Sequence, residues 1–140
     1  MMALKGTQTE SNLWAAFSGE SQTRNRYNYF AEVARKEGHE DLATIFDVLA
    51  EQEKNHAKIM LKFLNGIGDS ITNLQIAAQN ESYEGHTMYK DFERVAAEEG
   101  FDEIAKFFGN IAKVESEHEK IFLSFLNKLT SEKEKEKKEE

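Results

Sequence analysis

Apolar residues recur at spacings of three and four along most of the chain. Leu42, Phe46, Leu49, Glu53, His56, Met60 and Phe63 form one such series, and Ile104, Phe108, Ile111, Glu115, His118, Phe122 and Phe125 form another. A series with that period lies along one face of an α-helix, the face that turns to a core. In both series a Glu and a His sit mid-stripe, where Leu would be expected. The breaks are few. Gly38 and Gly100 suit helix C-caps, and residues 65–72, NGIGDSIT, carry two glycines among polar residues and predict the longest loop. Helices are therefore predicted near 10–37, 39–64, 73–99 and 101–130. At 1.5 Å per residue each would run roughly 35–40 Å.

The two halves repeat. Shifted by 62 residues, positions 30–65 match 92–127 at 16 of 36 sites, including Phe30/Phe92, Gly38/Gly100, Phe46/Phe108, Glu53/Glu115, His56/His118 and Phe63/Phe125. Unrelated sequence would share about two. The expected fold is all-α: an antiparallel four-helix bundle built of two duplicated helix hairpins joined by a crossover loop. Residues 1–130 would form this domain, and 131–140, SEKEKEKKEE, a charged tail that reads as a solvated helical extension.

Composition supports the helical reading and narrows the function. Among 140 residues there is no proline and no cysteine, so no helix is interrupted by proline and no disulfide, thiolate metal site or cysteine nucleophile is available. A net charge of −8 repels a phosphate backbone, which argues against nucleic acid as a partner. No apolar run reaches the ~20 residues of a membrane span. The start, MMALKGTQTE, lacks the basic and apolar regions of a signal peptide, so a cytoplasmic location is expected.

The chemistry lies in the interrupted stripes. Residues three apart on a helix project from the same side, so Glu53/His56 and Glu115/His118 can each offer a carboxylate and an imidazole to one metal. One Glu-x-x-His pair is a weak signal in a Glu-rich chain; two at equivalent repeat positions, both replacing apolar residues, are a strong one. In the first helix the apolar face Leu13, Ala16, Phe17, Tyr27, Ala31, Ala34 is interrupted by Glu20. In the third, the face Leu74, Ala77, Ala78, Met88 is interrupted by Glu81 and Glu84. A solvated polar face accounts for a single such Glu. It fails for five Glu and two His on apolar faces, since each unpaired buried carboxylate would cost several kcal/mol. Cations are required, and oxygen and nitrogen ligands without sulfur suit iron or manganese.

The repeat is imperfect at one place. Glu20 precedes Phe30 by ten residues, but Glu81 precedes Phe92 by eleven. One extra residue rotates an ideal helix by ~100°. A π-bulge between 82 and 91 would absorb it, and such bulges concentrate at functional sites.

The set Glu20, Glu53-Lys-Asn-His56, Glu81-Ser-Tyr-Glu84 and Glu115-Ser-Glu-His118 resembles the ferritin-like di-iron domain of rubrerythrins, over about residues 5–130. The resemblance implies two iron ions, oxo- or hydroxo-bridged when oxidised, with manganese or zinc as substitutes. It implies bridging by Glu53 and Glu115, terminal ligation by Glu20, Glu81 and His118, and an exchange in which Glu84 holds one iron when ferric and His56 when ferrous. Tyr27 and Tyr89 would bond ligand carboxylates. The implied activity is reduction of hydrogen peroxide to water in oxidative-stress defence. Many rubrerythrins add a four-cysteine rubredoxin-like domain; with no cysteine here, the reading is a form lacking it, fed by an external donor such as rubredoxin or its reductase. A homodimer, with hairpins exchanged between chains as a variant, is also implied. The competing readings are an oxygen-using ferroxidase or iron-handling protein, against which Glu84 argues, and a structural bundle without redox chemistry. His39, His86 and Trp14 are expected to lie outside the site, in surface or packing roles.

Overall fold

A capping box opens the first helix. Thr7 has extended backbone, its hydroxyl accepts from the Glu10 N–H at 3.1 Å, and the Glu10 carboxylate accepts from the Gly6 N–H at 3.3 Å. In the computed structural model, which describes residues 3–140, α1 then spans Gln8–Lys36. It ends at Gly38, whose φ of +83° is the left-handed conformation that glycine adopts without strain. The His39 N–H returns to the Ala34 carbonyl at 2.8 Å, and α2 follows over Glu40–Phe63.

Asp69 starts the second half: its carboxylate accepts from the Thr72 N–H at 2.8 Å, opening α3 at Ser70. The helix thus begins three residues before the predicted 73, and the loop is shorter than 65–72. α3 (Ser70–Tyr83) passes into a π turn (Glu84–Met88) and continues as α4 (Tyr89–Glu98). Gly100, φ +86°, repeats the role of Gly38, with the Phe101 N–H bonded to the Ala96 carbonyl at 2.8 Å. α5 runs Asp102–Glu139, past the expected end near 130. Its last turns are Glu and Lys three and four apart in sequence and exposed, so the charged tail is solvated helix. The chain is all-α, with four long helical rods and, among the described residues, no strand.

Contacts divide the chain into two units, one ending at Ile67 and one from Gly68 to Glu140. Each is a helix hairpin: α1 against α2, and the α3–π–α4 rod against α5. Small residues let the helices approach. Ala31, Ala34, Ala43, Ala50 and Ala57 are buried in the first hairpin, and Ala78, Ala96, Ala105 and Ala112 in the second. The repeat is visible in aromatic packing: Phe46 meets Tyr27 and Phe30, ring centroids 5.7 Å apart in both pairs, and Phe108 meets Tyr89 at 5.9 Å and Phe92 at 5.6 Å.

The seam residues behave differently. Phe46, Glu53 and Met60 are half-buried, while Leu42 (47% exposed), Leu49 (38%) and Phe63 (65%) are not covered; Ile104 (48%) and Phe125 (53%) repeat this in the second hairpin. Each hairpin therefore carries an accessible apolar face, and the acid and imidazole groups lie within it.

Candidate metal centre

Register along α1 and α2 brings Glu20, Glu53 and His56 together. One ligand atom of each lies within 4.8 Å of the others. The Glu53 Oε2 is 3.6 Å from His56 Nδ1, the two residues being three apart on α2. Glu20 and Glu53 are half-buried and His56 is exposed.

The second hairpin repeats the group with Glu81, Glu115 and His118, again with ligand atoms within 4.8 Å of one another. His118 Nδ1 is 3.3 Å from Glu81 Oε1 and 3.5 Å from Glu115 Oε2. Both carboxylate side chains are only 18% exposed. The other oxygen of Glu81, Oε2, is buried with no hydrogen-bond partner. A buried carboxylate oxygen without a donor is costly. A cation shared with Glu115 and His118 would satisfy it, and the donor set of two carboxylates and one imidazole is suited to a first-row dication. The residues present fit a metal in each triad. In both, Nδ1 is the imidazole atom nearest the carboxylates, the atom each His would offer to a shared metal.

The structure thus gathers six of the seven expected ligands into two triads, one per hairpin. The seventh, Glu84, is half-buried at the first position of the π turn, one turn beyond Glu81 and apart from the Glu81–Glu115–His118 triad. The turn falls inside the 82–91 window set by the repeat mismatch. Tyr27 and Tyr89 are half-buried and packed on Phe46 and Phe108.

His86, expected to be peripheral, is half-exposed as anticipated but is not idle: its Nε2 lies 3.1 Å from Glu119 Oε1. Glu119 was not anticipated. The available signal was the repeat, in which Glu119 stands opposite Ala57. His39 precedes α2 without a side-chain cap, and Trp14, 48% exposed, meets Phe17 edge-on at 6.1 Å.

Two matched carboxylate–carboxylate–imidazole triads on duplicated helix hairpins define a helical di-metal carboxylate protein. The Rubrerythrin family model matches residues 11–126, with a further match over 72–140. A rubrerythrin of Nitratidesulfovibrio vulgaris is 44% identical over 92% of this chain and 74% of its own. One from Porphyromonas gingivalis is 47% identical over 89% of this chain and 68% of its own. Rubrerythrin-1 of Clostridium acetobutylicum is 41% identical over 99% and 80%. The chain belongs to the rubrerythrin family. Members of that family are di-iron proteins, and two iron ions are the cofactor of this one. None of its helices, among the described residues, is long and apolar enough to cross a membrane.

Proposed function

We propose that this protein is a cytoplasmic non-haem di-iron peroxidase that reduces hydrogen peroxide to water with electrons from an external donor of the rubredoxin or rubredoxin-reductase type. The observation that carries the reading is the asymmetry between the hairpins: among the described residues the π turn occurs in the second hairpin alone, and Glu84, a carboxylate with no counterpart in the first, stands at its first position.

In this reading Glu20, Glu53, Glu81, Glu115 and His118 would hold the two ions, with Glu53 and Glu115 in the shared positions that the family resemblance implies. His56 and Glu84 would serve as alternative ligands according to redox state. The exchange has a physical basis, since a ferric ion favours a hard carboxylate and a ferrous ion an imidazole. Charge supports the set: five carboxylates against two dications leave one net negative charge. When bound, the iron pair supplies two electrons, one from each ion, and with two protons taken up the O–O bond of hydrogen peroxide is cleaved to two waters. The side chains would hold the ions in place, and Tyr27, seven residues after Glu20, and Tyr89, five after Glu84, would orient ligand carboxylates. The apolar faces that carry the triads exclude bulk water once covered.

A second copy of the chain is the proposed cover. Leu42, Phe63, Ile104 and Phe125 are large, apolar and half-exposed, and they flank the triads in each repeat. A homodimer, with or without exchanged hairpins, would bury them. Sedimentation should give twice the chain mass; a monomer that still binds two irons would remove the dimer from the reading.

Stopped-flow oxidation of the diferrous protein tests the activity. Peroxide should oxidise it much faster than oxygen does. The opposite order would replace the peroxidase with a ferroxidase.

A further inference from the structure

The second hairpin holds a side-chain cluster that the ligand set does not use. Glu119 on α5 is 19% exposed, and its Oε1 lies 3.1 Å from the Nε2 of His86, inside the π turn. Glu119 therefore reaches across from α5 to the stretch just after Glu84.

Gly85 adds a second constraint. It is buried, and a Cβ placed there would meet Ser116 Oγ at 2.7 Å and the Ser116 backbone nitrogen at 2.9 Å. The π turn thus lies against α5 at a distance only glycine permits. Ala112, Ser116 and Glu119, spaced four and three apart, form the stripe of α5 that receives it.

The first hairpin is an internal control. At the shift of 62, Ala57 stands in the place of Glu119; at the shift of 61 that relates Glu20 to Glu81, Arg24 stands in that of Gly85 and Asn25 in that of His86. There the helix is unbroken. The register mismatch alone allows the extra residue anywhere from 82 to 91; local contacts must choose among those positions. The turn falls at Glu84–Met88, where His86 meets Glu119 and Gly85 lies against Ser116.

We propose that Glu119 is a positioning residue: its bond to His86, beside the close approach of Gly85 to Ser116, locks the π turn in place and so sets the direction in which Glu84 leaves the helix. The proposal rests on the reading of Glu84 as a ligand for its consequence, but not for the lock itself.

Amide hydrogen exchange on the full-length metal-free protein tests the lock. In Glu119→Ala, and in His86→Ala at a half-exposed position that cannot by itself unfold the hairpin, amides of 84–89 should exchange roughly tenfold faster or more, as expected for loss of a hydrogen bond to a charged group. Glu119→Gln keeps an acceptor oxygen and should restore most of the protection. In the iron-loaded protein, the ferric absorption spectrum of Glu119→Ala should shift toward that of Glu84→Ala, and the double variant should match Glu84→Ala alone. Unchanged exchange at 84–89 in both alanine variants would overturn the lock, as would additive spectral effects. A parent protein that binds two irons without reducing peroxide would instead defeat the functional reading and leave the exchange result standing.

Discussion

His118 Nδ1 and Glu81 Oε1 lie 3.3 Å apart although 37 residues separate them in sequence. Their approach, with Glu115 Oε2 3.5 Å from the same nitrogen, turns three side chains on two helices into one metal-binding group. The partnerless Glu81 Oε2 is the part of that group a metal would complete. Glu81→Ala should lower bound iron from two to one per chain by metal analysis. Peroxide reduction should fall by more than about a hundredfold, beyond the usual loss for a group that only supports a ligand.

Removing the metals should destabilise the fold. Carboxylates gathered on an apolar face repel one another without cations, and a metal held at a hundred times its dissociation constant adds about 2.7 kcal/mol. For a chain of this length that corresponds to a fall of roughly 5–10 °C in Tm. Thermal unfolding with and without a chelator measures it, and Glu81→Ala should show a smaller chelator effect than the parent.

Gly85→Ala pits two effects against each other. Alanine is favoured over glycine in a helix by up to about 1 kcal/mol. The added Cβ would press on Ser116 Oγ and on two backbone atoms of α5, and backbone cannot swing aside. Overpacking of that kind costs about 1–3 kcal/mol, so the variant should be less stable by urea unfolding. Ser116→Ala should rescue it only in part, because the Ser116 nitrogen and the Ala112 carbonyl remain.

Deleting Thr87, an exposed residue of the π turn, removes the extra residue and makes the spacing from Glu81 to Phe92 equal to that from Glu20 to Phe30. Circular dichroism should show helix content unchanged, since an ordinary α-helix needs no compensation for a π turn. The ferric spectrum should change and peroxide reduction should drop, because Glu84 would be turned by about 100° relative to α4.

Asp47 gives a pH-dependent term. Asn28 and Arg35 each donate to its carboxylate at 3.1 Å, and these bonds, that from Asn28 first, hold its carboxyl below the usual value. A depressed folded-state value stabilises the protein above the unfolded pKa, and the gain is lost as pH falls through the folded one. Asp47→Asn should therefore be less stable than the parent at neutral pH, with the gap closing as pH drops below ~4. Urea midpoints across that range check the sign. The groups are exposed, so high salt should also narrow the gap.

Much of the fold was legible because its signals are local. Gly38 and Gly100 end helices by backbone conformation alone, and the 3-4 spacing of Leu42 to Phe63 and of Ile104 to Phe125 fixes which face of α2 and α5 is apolar. The start of α3 was placed late because Asp69 and Ser70 sit in a glycine-flanked polar segment, where a cap and a loop look alike. The end of α5 was placed early for a related reason: SEKEKEKKEE has no apolar stripe, yet Glu and Lys are good helix formers and the helix continues through them to Glu139.

The sequence by itself determined the helices, the duplication, the six residues of the two triads and the one-residue mismatch that requires a π turn. Those follow from periodicity and spacing, which a chain carries whether or not it is folded. The tertiary structure decided where in the 82–91 window the turn falls and what holds it. That choice depends on Gly85 meeting Ser116 and on Glu119 meeting His86, contacts between α5 and a rod more than thirty residues earlier. It also separated Glu84 from the triad beside it: on a helix Glu81 and Glu84 share a face, yet only Glu81 meets His118 and Glu115. Side-chain spacing offers a ligand, but packing across the hairpin determines which metal-binding group it joins.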